Sequence, residues 1–320
     1  MTTRRVIFDT DIGIDDAMAL LMLHFAEDVT IEAITTVSGN ASIGDTTRNA
    51  LYVAERFAID APVYRGASGP MGPALGSGFP DFVHGKNGLG DIPLQEPAGS
   101  VERLPAAEAI VELAEAHPGE LSLVCVGRLT NLARALEMSP RLPELLREVV
   151  IMGGLFGYRS HRGNVSPVAE ANFAGDPLAA DRVLGSGAAC TVVGLDVTHE
   201  TIMDETFISA LVDSAGEAGS FIHAITRYYF DFYESNSGAR QCPIHDSSAV
   251  ACLLHPELYE FASGPVRVVS EGMAMGQSIL GERPDAYQSD AWQGRPDVRI
   301  CRGVDGAAVA ARYLEILASQ

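Results

Sequence analysis

Positive charge, paired cysteines and long apolar runs are what this 320-residue chain has least of. Only 22 Lys and Arg stand against 42 Asp and Glu, for a net charge of −20. That excess works against binding nucleic-acid backbones or anionic membrane surfaces, and suits a neutral or cationic small molecule. The five cysteines, Cys125, Cys190, Cys242, Cys252 and Cys301, are odd in number, lie in apolar settings and form no C-x-x-C pair. Buried thiols are expected rather than disulfides or zinc ligands. No apolar run is long enough to span a bilayer. The opening Met1-Thr2-Thr3-Arg4-Arg5 runs into a strand pattern without a signal-peptide apolar region, so a cytoplasmic protein is expected. No repeat of roughly 20 to 50 residues and no low-complexity linker divides the chain. With 47% hydrophobic content, one large α/β domain or two closely packed ones are allowed, and 1–320 is taken as one.

What is present in abundance is carboxylate, crowded near the start. Asp9-Thr10-Asp11-Ile12-Gly13-Ile14-Asp15-Asp16 places four acids in eight residues directly after the apolar Val6-Ile7-Phe8. Such groups repel one another at neutral pH unless they share a cation or protons, so the segment reads as a metal-binding or acid/base centre. Gly13 allows a sharp turn, and Asp15-Asp16 open the helical pattern Ala17 to Leu23. The cluster is thereby expected at the carboxyl end of a strand, facing a helix N-terminus, where open α/β folds bind ligands. Asp15 or Asp16 taken singly is equally explained as a first-turn carboxylate, but Asp9 and Asp11 are not. An EF-hand is excluded because Leu20 and Leu21 stand where its closing Glu belongs. A phosphatase with Asp9 as covalent nucleophile and a non-catalytic calcium-binding protein remain as alternatives.

Strand-like and helix-like segments alternate thereafter: Thr30 to Val37, Asp45 to Phe57, Ala106 to His117, Leu121 to Val126, Leu129 to Met138, Val149 to Met152, Asp176 to Leu184 and Thr191 to Val197. This rhythm implies βαβ units and a mainly parallel central sheet flanked by helices. From about Ile202 the pattern turns mainly helical until Pro265 to Val269, with a last helix over Ala307 to Leu317. Gly66 to Ser100, rich in Gly and Pro, is expected to be a functional loop or lid around His84. Further polar groups fall at predicted strand ends: Asn40 after Ser38-Gly39, Thr130-Asn131 after Val126-Gly127, the Asn164 to Asn172 loop after Met152-Gly153-Gly154, and His245-Asp246 opening a helix. Each alone is an ordinary turn or cap, but together they occupy one sheet edge.

These segments, in this order and spacing, resemble the nucleoside hydrolase family of the inosine-uridine preferring type. The matching motifs are Asp9-Thr10-Asp11-x-Gly13-x-Asp15-Asp16, Gly39-Asn40, His84-Gly85, Gly127-x-Leu129-Thr130-Asn131, Met152-Gly153-Gly154, Glu170-x-Asn172, Asp176-Pro177 and His245-Asp246. The resemblance implies an open, Rossmann-like fold and hydrolysis of the N-glycosidic bond of ribonucleosides, giving base and ribose. It implies a calcium ion held by Asp11, Asp16, Asp246 and the Val126 carbonyl, and an ion-bound water that Asp11 deprotonates as general base. It assigns Asp15, Asn40 and Asn172 to the 2′ and 3′ side of the ribose and Asn164 and Glu170 to the 5′ hydroxyl. His245 is assigned to the departing base, His84 and Met152 to the substrate pocket, and the homo-oligomer to a dimer or tetramer. Tyr229 and Tyr233, in a helical aromatic run, either reach the base or pack in the core. The chain departs from the family pattern at Ile12, Arg128 and Ala171, the last standing where many relatives carry an aromatic.

Overall fold

The computed structural model describes residues 3–76, 78–283, 286 and 288–319. Met1 and Thr2, and Ser77 within the expected 66–100 loop, lie outside the described residues. The strands are β1 (Arg4–Thr10), β2 (Val29–Thr36), β3 (Val63–Arg65), β4 (Leu121–Cys125), β5 (Glu148–Met152), β6 (Cys190–Val193), β7 (Ile202–Asp204), β8 (Gln241–Pro243), β9 (Tyr259–Val268), β10 (Ser278–Leu280) and β11 (Asp297–Val304). Nine of them form one sheet in the order β10-β9-β11-β6-β5-β4-β1-β2-β3, while β7 and β8 pair separately. From β3 to β11 every pairing is parallel, and β9 runs antiparallel to both of its neighbours.

Helices cover both faces of the sheet, which is why its central strands are apolar on both sides. Val6, Ile7 and Phe8 of β1 have no exposed surface, and β4 is buried along its whole length. Each such side chain contributes about 1.5–3 kcal/mol by leaving water. The fully buried core locks β1 in place between β4 and β2. On its two sides the chain order diverges, to β2 and β3 one way and to β4, β5 and β6 the other. The carboxyl ends of β1 and β4 therefore form the switch-point crevice of a doubly wound sheet.

The expected helices at 45–57, 106–117, 129–138, 176–184 and 307–317 are all present within a few residues. Two expectations are corrected. Thr191 to Val197 is not one strand: β6 ends at Val193, and after Gly194 the chain enters a short helix, Leu195–Thr198. The stretch after Ile202 is mainly helical as expected, but β7 and β8 lie within it, and the strand expected at Pro265 to Val269 starts earlier, as β9 from Tyr259. Gly66 to Ser100 is mostly loop, but contains the one-turn helix Asp81–His84. Among the described residues no helix is long and apolar enough to cross a membrane.

Candidate active site

Strand β1 ends in the acidic segment, and each carboxylate there has different surroundings. Asp9 is fully buried within the sheet; its Oδ2 accepts from the Thr35 hydroxyl at 2.6 Å and from Asn131 Nδ2 at 2.8 Å. Burial raises its pKa to about 6, against the pull of those two donors. Four donors converge on Asp16: the Thr10 hydroxyl at 2.6 Å and Asp11 N at 3.2 Å on Oδ1, and Gly13 N and Asn40 Nδ2, both at 2.8 Å, on Oδ2. Asp16 thus also caps the helix Ile14–Phe25, so the ordinary reading and the site reading hold together for it. Asp11 Oδ2 accepts from Asn40 N at 2.7 Å. Two glycines make room for it. A Cβ on Gly39 would fall 1.9 Å from Asp11 Oδ2, and one on Gly127 would fall 2.5 Å from Oδ1.

Carboxylate oxygens of Asp15, Asp16 and Asp246 lie within 4.8 Å of one another, all buried. Asp246 arrives from the far end of the chain because β8 leads into the helix His245–Leu254. Asp11 lies outside that 4.8 Å group but close enough to add to the repulsion on Asp246. Asp11 Oδ1 and Asp15 Oδ1 are buried without a hydrogen-bond partner. Burial first, and then the charge of Asp16, pushes Asp11 well above the carboxylate range and Asp15 up to about 7. Asp246 is raised well above its ordinary value by burial and then by Asp15. Buried, mutually repelling, all-oxygen groups, with Asp11 Oδ1 and Asp15 Oδ1 unpartnered, are what a hard cation would satisfy, and they suit zinc poorly. The residues present therefore fit a cation.

A cavity of about 140 Å³ opens onto this group, lined by Asp15, Asn40, His84, Val126, Met152, Asn164, Glu170, Asn172, Tyr229, Tyr233, His245 and Asp246, among others. Every expected substrate residue is on its wall; Asp11 and Asp16 lie outside the lining. A wider cleft of about 670 Å³ lies elsewhere, lined by Arg4, Phe25, Arg147 and Leu254, and no candidate residue reaches it. Asp9 also lies outside the 140 Å³ cavity, and its Oδ2 is held by Thr35 and Asn131 within the sheet, which counts against it as the nucleophile of the phosphatase alternative.

The walls are held by hydrogen bonds. Asn172 Nδ2 donates to the Val126 carbonyl at 2.7 Å and to the Met152 carbonyl at 3.3 Å. Glu170 accepts three backbone N–H groups, from Asn172 at 2.7 Å, Gly154 at 2.9 Å and Phe173 at 3.1 Å, while burial raises its pKa. His84 Nδ1 accepts from Ile14 N at 3.3 Å, so its proton sits on Nε2. Burial lowers its pKa to about 4 and keeps the ring neutral. Tyr229, left open between core and pocket, does both: it is 2% exposed, yet its hydroxyl donates to Asp15 Oδ2 at 3.3 Å. Tyr233 Oη lies 3.0 Å from His245 Nε2, and Thr198 Oγ1 lies 2.8 Å from His245 Nδ1. Burial, then His199 and His84, hold His245 well below the usual imidazole range.

Some wall residues carried no sequence signal of their own. Phe82 and Phe232, with ring centroids 5.8 Å apart, and Val165 also line the cavity. Thr198, the partner of His245, stands one residue beyond the apolar run Thr191 to Val197 and has no signal of its own.

The family model for inosine-uridine preferring nucleoside hydrolases matches residues 6–311. The chain belongs to that family. Among its relatives, uridine nucleosidase 1 of Arabidopsis thaliana is 37% identical over 306 residues, covering 94% of this chain and 89% of the relative. A non-specific ribonucleoside hydrolase, RihC, of Escherichia coli is 36% identical over 267 residues, covering 83% and 84%. Among solved structures, a plant nucleoside hydrolase, PpNRh1, superposes with a TM-score of 0.93 at 31% identity over 99% of each chain. A purine-preferring ribonucleoside hydrolase from Gardnerella vaginalis gives 0.90 at 28% identity, over 99% of this chain and 98% of that one. This nucleoside hydrolase is thus an enzyme of N-glycosyl bonds in ribonucleosides.

Proposed function

We propose that this hydrolase is calcium-dependent, and that Asp11 is the general base toward the water that attacks C1′ of the ribose. One observation carries the reading: the buried carboxylates of Asp15 and Asp246 meet, in one cavity, amide groups on one side and a histidine–tyrosine pair on the other. Asp16 and Asp246 would hold the ion, with Asp11 and the Val126 carbonyl beside them and Asp15 facing the cavity. When bound, calcium would supply positive charge that favours hydroxide over water and attracts the ribose diol.

The chain's own groups then divide the work. Asp11, beside Asp16 and with its Oδ1 unpartnered, accepts the proton of the attacking water. Asp15, Asn40 and Asn172 orient the ribose through its 2′ and 3′ hydroxyls, and Asn164 and Glu170 face its 5′ end. Fixing the sugar brings C1′ into line for attack, and the surrounding carboxylates stabilise positive charge developing on the ring. His245 is neutral, so it assists the base by donating a hydrogen bond, directly or through the Tyr233 hydroxyl. Uridine is the first substrate to test, because relatives carry that specificity in their names. The assay is incubation of pure protein with uridine, inosine and cytidine, with and without a calcium chelator. Equal amounts of free ribose and base, lost with chelator and restored by calcium, are expected. Activity untouched by exhaustive chelation would refute calcium dependence.

A further inference from the structure

The segment Asp196–Glu200 lies outside the cavity, yet each polar side chain in it is turned onto a part of the site. Asp196 is fully buried, and its two oxygens each accept one backbone N–H from the loop after Gly154: Phe156 N at 2.7 Å and Tyr158 N at 2.7 Å. Glu200 Oε1 meets Nε2 of His161, in the same loop, at 2.6 Å. The His161 ring stacks on that of His199 with centroids 4.9 Å apart. This loop brings Asn164 and Val165 to the cavity.

Other groups of the same segment hold the opposite wall. Thr198 Oγ1 lies 2.8 Å from His245 Nδ1, and the His199 ring meets the His245 ring edge-on at 5.2 Å. One residue further on, the Thr201 carbonyl accepts the N–H of Ile244, next to His245, at 3.0 Å. A fully buried carboxylate is unfavourable unless donors satisfy it, and here both donors belong to a loop whose Gly157, Arg159 and Ser160 are exposed. Asp196 therefore helps fix the loop's path, together with the packing of Phe156 and Tyr158 on the core and the Leu155–Ser278 hydrogen bonds. A hydroxyl on one imidazole nitrogen likewise fixes the ring plane, and the role it takes, donor or acceptor, goes with the opposite role at the other nitrogen. His199, lowered to about 4 by burial and by His161, stands between the two other rings as a neutral spacer.

We propose that Asp196–Glu200 is a clamp that sets the ribose-side loop bearing Asn164 and the base-side imidazole of His245 together, with Asp196 and Thr198 as its positioning residues. The inference rests on the roles given above to Asn164 and His245. Neither clamp residue touches substrate, and each acts through a group that does.

The test uses two near-isosteric variants of the full chain. Thr198→Val removes the hydroxyl; it should lower kcat on uridine about five- to tenfold, the worth of one hydrogen bond, with KM retained. It should leave p-nitrophenyl riboside unaffected, since that leaving group departs without a proton, and Thr198→Ser should restore the uridine rate. Asp196→Asn turns a donor toward one of the two loop amides. It should raise KM about fivefold on both substrates with kcat retained, and speed hydrogen exchange at Phe156 and Tyr158. ¹⁵N NMR of His245 should show a single neutral tautomer in the parent and in Thr198→Ser, and a mixture in Thr198→Val. Unchanged His245 signals in Thr198→Val, or unchanged exchange in Asp196→Asn, overturns the clamp. If both signatures appear while His245→Ala still cleaves uridine at the parent rate, the clamp stands and the role given to His245 falls.

Discussion

Calcium binding should expel protons from this site, and the number expelled should fall as pH rises. Three carboxylate oxygens within 4.8 Å of one another repel pairwise by at least about 3 kcal/mol at an effective dielectric near 20, so the ion-free site holds protons instead of three charges. Asp15 has its pKa raised from 3.8 to about 7, first by burial and then by Asp16. From that group alone, binding should release roughly one proton at pH 6, about half at pH 7 and few at pH 8. Asp11 and Asp246, also raised by burial, add to each value. The sign for stability follows from the same shift. Between the ordinary value of 3.8 and about 7, the ion-free fold keeps a proton that the unfolded chain has released. Ion-free stability therefore falls as pH rises through that window, and saturating calcium should reverse the trend. Calorimetric calcium titrations of chelator-treated protein, in buffers of different ionisation enthalpy, count the protons directly. Binding at pH 6 with no proton release would mean that the carboxylates are already charged, and would refute this account of the cluster.

Four further outcomes are expected. His245→Ala should slow uridine or inosine cleavage by about 10²–10⁴-fold but spare p-nitrophenyl riboside; equal losses on both would place the damage at Asp246 instead. Deoxyuridine should be cleaved at least about 10²-fold more slowly than uridine, because Asp15, Asn40 and Asn172 lose a buried partner; matched rates would show that these residues do not grip the diol. Gly39→Ala puts a methyl where Asp11 Oδ2 now lies, at 1.9 Å, and should cost about 10²-fold in kcat/KM through misplacement of that carboxylate; steady-state kinetics beside a thermal melt will separate this from loss of fold. Asp16→Ala should abolish calcium-induced thermal stabilisation along with ribose release, and a variant that calcium still stabilises would shift the ion to Asp15 and Asp246.

What could be seen in the sequence was what is local. Val6-Ile7-Phe8 and the acids after it are read correctly because strand, turn and helix start follow within a few residues, and the resemblance lies on those same motifs. The strand ends at Asn40, Val126 and Met152 were legible for the same reason. Misreadings came where apolar character alone had to decide. Leu195 and Val197 are fully buried in a helix, as they would be in a strand, so the run from Thr191 continued past the break at Gly194. The signal against a strand was Asp196, a carboxylate inside an apolar run. Strand β9 was truncated for a different reason: its pairing with β11 joins Tyr259 to Val304 across 45 residues, which no local pattern records.

The same distinction separates the carboxylates from the groups that aim them. An acid cluster announces itself because like charges in one short segment need an explanation. Thr198 and His245 are 47 residues apart, and a lone Thr beside a lone His has no sequence signature. Asp9 shows the converse: it stands in the motif, yet its Oδ2 is used on Thr35 and Asn131 of neighbouring elements, which tie β1 to β2 and to the helix Thr130–Met138. Membership of the motif thus covers two physical tasks. Asp9 fixes the strand end, so that Asp11, Asp15 and Asp16, a few residues on, are delivered to Asp246 from the other end of the chain. The chemistry depends on both, but only the second task places an unpartnered oxygen beside the cavity.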